Sequence, residues 1–170
     1  MRPLTISLAM CGMVLMAQGA FAQRDAGSKI TGEAYRIGSS SVYQQHAYDN
    51  AQTLQYYSQQ AKSVPKETIK AHVAQIRQNV EFSNKELAGL EEKAKTDKVV
   101  AQHLTAIKEH HAKALEACGM ADECAEMAKD NSATLAPCCV DMAKHLKAAK
   151  EEHEKLAKHL EVAPIVKPAK

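Results

Sequence analysis

The sequence contains no tryptophan, and aromatic residues make up only 4% of its 170 residues. No run of alternating apolar and polar residues indicates a β-strand. Alanine, lysine, glutamate and glutamine instead dominate the body of the chain. Because these residues have high intrinsic helix propensity, the sequence predicts an all-α protein.

Several binding and catalytic motifs are also missing. The formal net charge is only +2, which is too balanced for a protein that binds nucleic acid through a basic surface. There is no glycine-rich phosphate loop, nucleophile elbow or His-Glu-x-x-His pattern. Cys-x-x-Cys-His, which attaches haem, and the paired Glu-x-x-His of di-iron proteins are absent as well. The sequence therefore predicts a binding protein and not an enzyme.

Only one stretch of the sequence is apolar enough to enter a membrane, and it lies at the N-terminus. Arg2 precedes the apolar segment 4–17, and a small-x-small cleavage pattern follows at 20–22. We expect a signal peptide at 1–22 that is removed on export, with no membrane contact afterwards. About 148 residues would remain, enough for one domain. The expected location is the bacterial periplasm or the medium outside the cell.

Residues 23–41 carry glycine and serine without an apolar period, and we expect a flexible leader there. Four amphipathic stretches follow over 42–162, and a flexible tail is expected at 163–170. Helices of this length with short connections stack as a single antiparallel up-down four-helix bundle. The predicted buried positions of the first helix, near 42–62, are Tyr43, Ala47, Asn50, Leu54, Tyr57 and Ala61.

Local signals mark the ends of the other three helices. The second begins at Ser63-Val64-Pro65, a serine cap followed by proline in the first turn, and ends near residue 95. Thr96 or Asp97 caps the third helix. The segment 130–132 breaks the chain, and Pro137 opens the fourth helix. The third helix ends either at Gly119 or in the following turns up to residue 129, and the sequence leaves both ends open.

The predicted third and fourth helices concentrate the metal-binding side chains. Six of the eight histidines, and every cysteine outside the predicted signal peptide, lie between His103 and His159. Thiolate, imidazole and thioether groups are the ligands that hold Cu(I), and the first two also hold zinc. The predicted ligands are the thiols of Cys118, Cys124, Cys138 and Cys139, the imidazoles of His145 and His72, and the thioether of Met142 or Met120.

The two possible ends of the third helix predict different pairs of facing residues between the third and fourth helices. If the helix continues past Gly119, Cys124 faces Cys138 and Cys118 faces His145. If it stops at Gly119, His110 faces His145, His103 faces Glu152 or His153, and Cys118 faces Cys138 or Cys139. In both cases the start of helix two lies level with the end of helix three, so that His72 is expected near Cys118 and His145.

Two further histidines, His111 and His153, replace apolar residues inside the predicted buried stripes of their helices. A buried imidazole needs a partner, because leaving it unsatisfied costs free energy. A second metal site deeper in the bundle would provide one, and so would a hydrogen bond from each histidine to a nearby glutamate. The sequence does not decide between these two roles.

A metal-free alternative explains the cysteines equally simply. In an oxidising compartment four cysteines form two disulfides with three possible connectivities. The chain would then be a structural or partner-binding helical bundle. Against this, a domain of this size has enough core to fold without disulfides, and disulfides leave the clustering of histidines unexplained.

Two segments, Cys118-Gly-Met-Ala-Asp-Glu-Cys124 and Pro137-Cys138-Cys139-Val-Asp-Met142-Ala-Lys-His145, resemble the bacterial copper storage proteins in composition and layout. That family consists of exported four-helix bundles whose cysteines hold many Cu(I) ions. Its members carry repeated Cys-x-x-x-Cys steps and many more cysteines than this chain. The resemblance therefore implies one or a few Cu(I) ions, and the expected function is buffering or carriage of Cu(I) or zinc.

Overall fold

A computed structural model describes residues 32–127 and 130–162. The predicted signal peptide, residues 23–31 of the predicted leader and the tail 163–170 lie outside these residues. The described chain is helical, without a β-strand, which confirms the predicted all-α class. Its five helices are α1 (Gly32–Gln60), α2 (Lys66–Ala88), α3 (Glu91–Thr96), α4 (Lys98–Ala125) and α5 (Ser132–His159).

The four long helices pack side by side around a shared core. Helix α1 contacts α2 and α5, and helix α4 contacts α5 and α2, whereas the short α3 packs on α4. The groove between α1 and α2 therefore lies on the opposite side from the groove between α4 and α5. None of the helices in the described ranges has a stretch long and apolar enough to cross a membrane.

Helix α1 begins ten residues earlier than the sequence predicts, so that residues 32–41 of the expected flexible leader are helical. Its buried face passes through Ile37, Ser40, Gln44 and Ser58 and not through Tyr43 or Tyr57. The sequence shows no clear apolar periodicity at the start of α1, because small and amide side chains replace apolar ones on its buried face. Contacts with α2 and α5 therefore decide the start of this helix.

Helices α2 and α4 follow the predicted pattern closely. The predicted stripe of α2 from Ile69 to Leu87 and that of α4 from Val100 to Cys118 are buried. Helix α2 stops at Ala88, however, and not near residue 95. Leu90 turns into the core at this point, and the chain bends at Gly89, against which the Arg36 side chain of α1 packs.

The side chain of Asp97 caps α4, one of the two caps that the sequence predicts. Its Oδ1 atom accepts hydrogen bonds from the backbone nitrogens of Val99 at 3.0 Å and Val100 at 3.2 Å. These bonds satisfy amide groups that the first turn of a helix leaves without partners. The hydrogen bond with His159 and the two backbone bonds lower the pKa of Asp97.

Helix α5 begins at Ser132, so the predicted start at Pro137 is wrong. Proline is best tolerated in the first turn, because deeper in a helix it lacks the amide that bonds the preceding turn. The structure places Pro137 in the second turn. The first turn docks through Leu135, which is fully buried, and this packing offsets the missing hydrogen bond.

A buried asparagine joins the two connections at one end of the molecule. Asn131 precedes α5, and its side chain contacts the segment between α1 and α2. Its Oδ1 accepts from the Val64 backbone nitrogen at 2.8 Å, and its Nδ2 donates to the Val64 carbonyl oxygen at 2.9 Å. The side chain thus substitutes for two backbone partners in a buried region.

Replacing Asn131 by alanine is expected to destabilise the protein by about 2–4 kcal/mol, because both backbone groups of Val64 lose their partners while staying buried. Urea unfolding monitored by circular dichroism measures the change. The matched control is Asn79→Ala in α2. This change removes an exposed hydrogen bond from the Asn79 side chain to the Gln75 carbonyl oxygen of the same helix and is expected to have a small effect on stability. Equal losses in the two variants would contradict this role for Asn131.

Candidate metal site

The four cysteines of the described residues come together at one end of the long helices. Cys118 and Cys124 lie in the C-terminal part of α4, and Cys138 and Cys139 in the N-terminal part of α5. All four are free thiols, and the most accessible, Cys138, is only 8% exposed. They share one apolar cluster with Met142. The predicted thiol ligands therefore lie in the same region of the core.

Two sulfur pairs connect α4 with α5. The thiol of Cys118 donates to the Sδ atom of Met142, with 3.4 Å between the sulfur atoms. Further along the interface, Cys124 and Cys138 are neighbours, and Cys124 raises the pKa of Cys138. Cys138 also donates to the Thr134 carbonyl oxygen at 3.4 Å.

The adjacent cysteines Cys138 and Cys139 face different helices. Successive residues of a helix point about 100° apart. Cys124 of α4 acts on the pKa of Cys138, whereas Ser58 of α1 acts on the pKa of Cys139. The two neighbours therefore do not act together as one chelating pair, and partners for them come from two directions.

Burial keeps the thiols of Cys118, Cys138 and Cys139 protonated at neutral pH. It raises the pKa of Cys118 and of Cys139 to about 12, and that of Cys138 to about 11. Nearby groups change these pKa values less than burial does. The charge of Arg77 lowers the pKa of Cys118, and Cys124 adds to the increase at Cys138. Any cation that binds here as a thiolate complex must displace protons.

Histidines line the partly exposed side of the α4–α5 groove. The Nδ1 atoms of His110 and His145 are 3.4 Å apart, and their ring centroids are 5.6 Å apart. Burial, and then the charge of His110, lowers the pKa of His145. Further along the groove, His103 Nδ1 lies 2.8 Å from Glu152 Oε2. The groove therefore continues from buried sulfur atoms to half-buried imidazoles.

Helix α4 continues through Gly119 to Ala125, yet pairs from both predicted arrangements occur. Cys124 and Cys138, expected to face each other for the longer helix, are neighbours, whereas the pairs His110/His145 and His103/Glu152 were expected for the shorter one. Cys118 contacts Met142, a partner that neither arrangement predicted. The cysteine pair is buried and the histidine pairs are partly exposed, so they lie on different flanks of one interface. In each helix the side chains tilt towards the N-terminus of that helix. Because α4 and α5 run in opposite directions, the residues that face each other on one flank of their interface differ from those that face each other on the other flank.

His111 and His153 are buried in the core, 1% and 2% exposed. Neither forms the hydrogen bond to a glutamate that the sequence offered as an alternative. His111 Nδ1 lies 2.7 Å from Asn84 Oδ1, and His153 hydrogen-bonds with the backbone of Ile37. Burial lowers the pKa of both imidazoles to about 4, and at His111 the charge of His153 adds to this effect.

Two predicted ligands lie away from the cysteines. His72 occupies the groove between α1 and α2, with its Nδ1 atom 2.9 Å from Asn50 Oδ1 and its ring centroid 5.8 Å from that of Tyr57. It turns towards α1, on the opposite side from the α4–α5 groove, and so does not come near Cys118 or His145. Met120 points outwards and is 45% exposed. Met142 is therefore the methionine that meets the thiols.

Across residues 32–127 and 130–162, no three histidine, cysteine, aspartate or glutamate side chains are already arranged to hold one metal ion. One sulfur pair, Cys118 with Met142, is in direct contact. Comparisons with protein-family models, with curated proteins and with solved structures found no match to this chain. The chemistry of the site therefore rests on its own residues.

Three polar residues near the candidate ligands were not singled out from the sequence. Asn84 accepts from His111, Ser58 contacts Cys139, and Gln44 is buried with its Oε1 atom unpartnered. Serine, asparagine and glutamine are ordinary on helix surfaces, so their identity carries no signal. The one sequence signal for buried polar residues is Ser83, a polar residue at a predicted buried position of α2.

Proposed function

We propose that this chain is an exported, antiparallel four-helix bundle that binds Cu(I) and buffers or carries it. The supporting observation is that four thiols and one thioether share one buried cluster, in which Cys118 contacts Met142 and Cys124 lies close enough to Cys138 to raise its pKa. Thiolate and thioether sulfur are the donors that Cu(I) prefers. Cys139, in the same cluster, completes the proposed set of donors.

The donor chemistry favours Cu(I) over zinc as the ion. A structural zinc site closes a tetrahedron of four cysteine or histidine ligands, whereas the thioether of Met142, which contacts Cys118, is a soft donor that suits Cu(I). Cu(I) accepts two or three sulfur donors, which matches pairs better than a tetrahedron. His72 and Met120 are left out of the proposed set because they lie away from the thiols, and His145 is paired with His110.

Binding at these cysteines is coupled to protons. Because burial raises the pKa of Cys118, Cys138 and Cys139, Cu(I) must compete with protons at each thiolate it uses. Affinity therefore rises with pH across the neutral range. A site made of imidazoles alone would show a much weaker dependence above pH 7.

An anaerobic titration of the reduced wild-type protein with Cu(I), against a chromogenic Cu(I) chelator, tests the proposal. We expect the protein to remove one to a few ions from the chelator and to bind less tightly at lower pH. Failure to compete at any pH between 6 and 8 would reject copper binding as the function. The same titration with zinc is expected to show weaker competition against a zinc chelator.

Two methionines provide a matched test of the thioether. Met142→Leu conserves volume in the core, so its cost in stability is expected to be below about 1.5 kcal/mol. Its Cu(I) affinity is expected to fall by about tenfold, or ~1.4 kcal/mol, because the Sδ atom beside Cys118 is lost. Met120→Leu, on the surface, is expected to leave the affinity unchanged. Equal affinities of the two variants would remove Met142 from the proposed ligands.

The proximity of the four buried thiols, Cys124 and Cys138 among them, also favours a second candidate, a disulfide-linked structural or partner-binding bundle without metal. An oxidising compartment would convert such a pair to a disulfide. Counting free thiols in natively exported protein, with and without denaturant, separates the two functions. Four thiols per chain agree with metal binding, whereas none after denaturation would favour the disulfide-linked form.

A further inference from the structure

A polar layer crosses the core between two apolar clusters. One cluster contains the cysteines, and the other contains Ile37, Leu87 and Ile107. The polar layer consists of buried residues from all four long helices: Ser40, Gln44, Ser83, His111 and His153. Ser40 Oγ lies 2.8 Å from Ser83 Oγ, to which Gln44 Nε2 donates at 3.2 Å.

The layer leaves unpartnered atoms inside the protein. Four buried side-chain nitrogen or oxygen atoms of the described residues have no hydrogen-bond partner, and three of them are Gln44 Oε1, His111 Nε2 and His153 Nε2. Buried polar groups normally find a partner, because an unsatisfied one costs about 1–3 kcal/mol. These three atoms in one layer are therefore available to bind an ion or water.

The hydrogen bonds of the two imidazoles fix where their protons are. The Asn84 amide oxygen accepts from His111 Nδ1. The Ile37 backbone raises the pKa of His153, as a carbonyl oxygen that accepts from the ring would, and the Nε2 atom of this ring has no partner, which favours a proton on Nδ1. Both Nε2 atoms consequently carry free lone pairs. Metal-bound histidines have this arrangement, in which the second ring nitrogen donates to an oxygen that orients the ring.

The charges around the layer limit the kind of cation. The side chains that influence the protonation of His111 are His153 and His110, and no carboxylate acts on either buried ring. A divalent ion would bury two positive charges among neutral donors, which is costly. Cu(I) carries a single charge, binds imidazole and accepts two-coordinate geometry.

We propose that the Nε2 atoms of His111 and His153 bind one Cu(I) ion, in a site separate from the sulfur cluster. This extends the proposed copper binding to a second site with different donors, and it does not depend on the thiols. His111 lies about two helical turns from Cys118 along α4, so the two sites share the core without sharing ligands.

The test is an anaerobic Cu(I) titration of the full chain, labelled with ¹⁵N and ¹³C and monitored by NMR. Before copper is added, at pH 7, the rings of His111 and His153 are expected to carry a proton on Nδ1 and none on Nε2. One equivalent of Cu(I) at this site should shift the Nε2 signals of His111 and His153 together. The Cβ signals of the cysteines report the sulfur cluster independently in the same samples.

The two sets of signals make failure of each proposal distinguishable. Cysteine shifts without histidine shifts would overturn the imidazole site, leave copper binding by sulfur intact, and indicate that the layer holds only water. Histidine shifts alone would support the imidazole site and reject the sulfur cluster. A proton on Nε2 of either ring in the copper-free protein would also overturn the imidazole site.

Matched histidine variants strengthen the test. His153→Gln is expected to abolish the Cu(I)-dependent shift of His111, whereas His145→Gln, at the partly exposed pair, is expected to leave it unchanged. If His153→Gln does not fold, the wild-type signals still decide the outcome. A His111 shift that persists in folded His153→Gln would contradict a site made by the two imidazoles.

Discussion

Replacing both Cys118 and Cys138 by serine is expected to lower Cu(I) affinity at the sulfur cluster by more than about a hundredfold, or ~2.8 kcal/mol. The two residues belong to different sulfur pairs, Cys118 with Met142 and Cys138 with Cys124. The double substitution therefore breaks both pairs. A serine hydroxyl does not replace the thiolate, because it is a hard donor that stays protonated at neutral pH. Chelator competition under anaerobic conditions measures the loss.

The control for this experiment is Ala121→Ser. Ala121 is fully buried in the same cluster, so the variant adds a hydroxyl to the cluster but keeps every sulfur atom. We expect its copper affinity to stay within about threefold of the wild type, with a cost in stability of about 1–3 kcal/mol for the buried hydroxyl. Unchanged affinity in the double cysteine variant would reject the proposed ligands, and a large loss in Ala121→Ser would mean that packing alone controls binding.

The metal-free protein is expected to lose much of its stability between pH 6.5 and pH 4. Above pH 6.5, His111 and His153 are neutral in both folded and unfolded chains. Between pH 6.5 and their folded pKa values of about 4, the unfolded chain takes up protons that the folded chain excludes. Stability therefore falls as the pH falls, by about 3 kcal/mol for each ring. Urea unfolding at several pH values measures this dependence.

A variant without one of the two rings isolates their contribution. His153→Leu removes one buried titrating group, so the slope of stability against pH between 6.5 and 5 is expected to decrease by about half. His72 and His145, whose pKa values burial also lowers, add a smaller dependence in the same direction. The control is Leu156→Met, a buried position one turn along α5 from His153, which removes no titrating group and is expected to leave the slope unchanged. A slope that is the same in wild type and His153→Leu would contradict this account.

The agreement between the predicted and observed helices follows the regularity of their apolar residues. Helices α2 and α4 repeat apolar residues at helical spacing, and their buried faces were correctly predicted. Helix α1 was predicted to begin ten residues too late, because Ser40 and Gln44 occupy buried positions where a pattern analysis expects apolar side chains. Their burial depends on partners in α2, about forty residues further along the chain.

The start of α5 shows the limit of local signals in another way. Pro137 is a strong marker for the first turn of a helix, and the sequence contains no equally strong marker at Ser132. The energy that decides the start comes from burial of Leu135 and from Asn131, which bonds to Val64 in a distant connection. Both contributions depend on partners far away in the chain, so the residues next to the helix end do not reveal them.

The sequence by itself determined the helical class, the regular buried faces of α2 and α4, and the concentration of cysteine, histidine and methionine in two helices. Composition and periodicity suffice for these features because each depends on residues close together in the chain. Only the tertiary structure decided which of these side chains meet. It paired Cys118 with Met142 and Cys124 with Cys138, and it kept His72 in a different groove. The physical reason is that contacts between antiparallel helices depend on their axial register and on the flank that each side chain occupies, and packing of the whole core sets both.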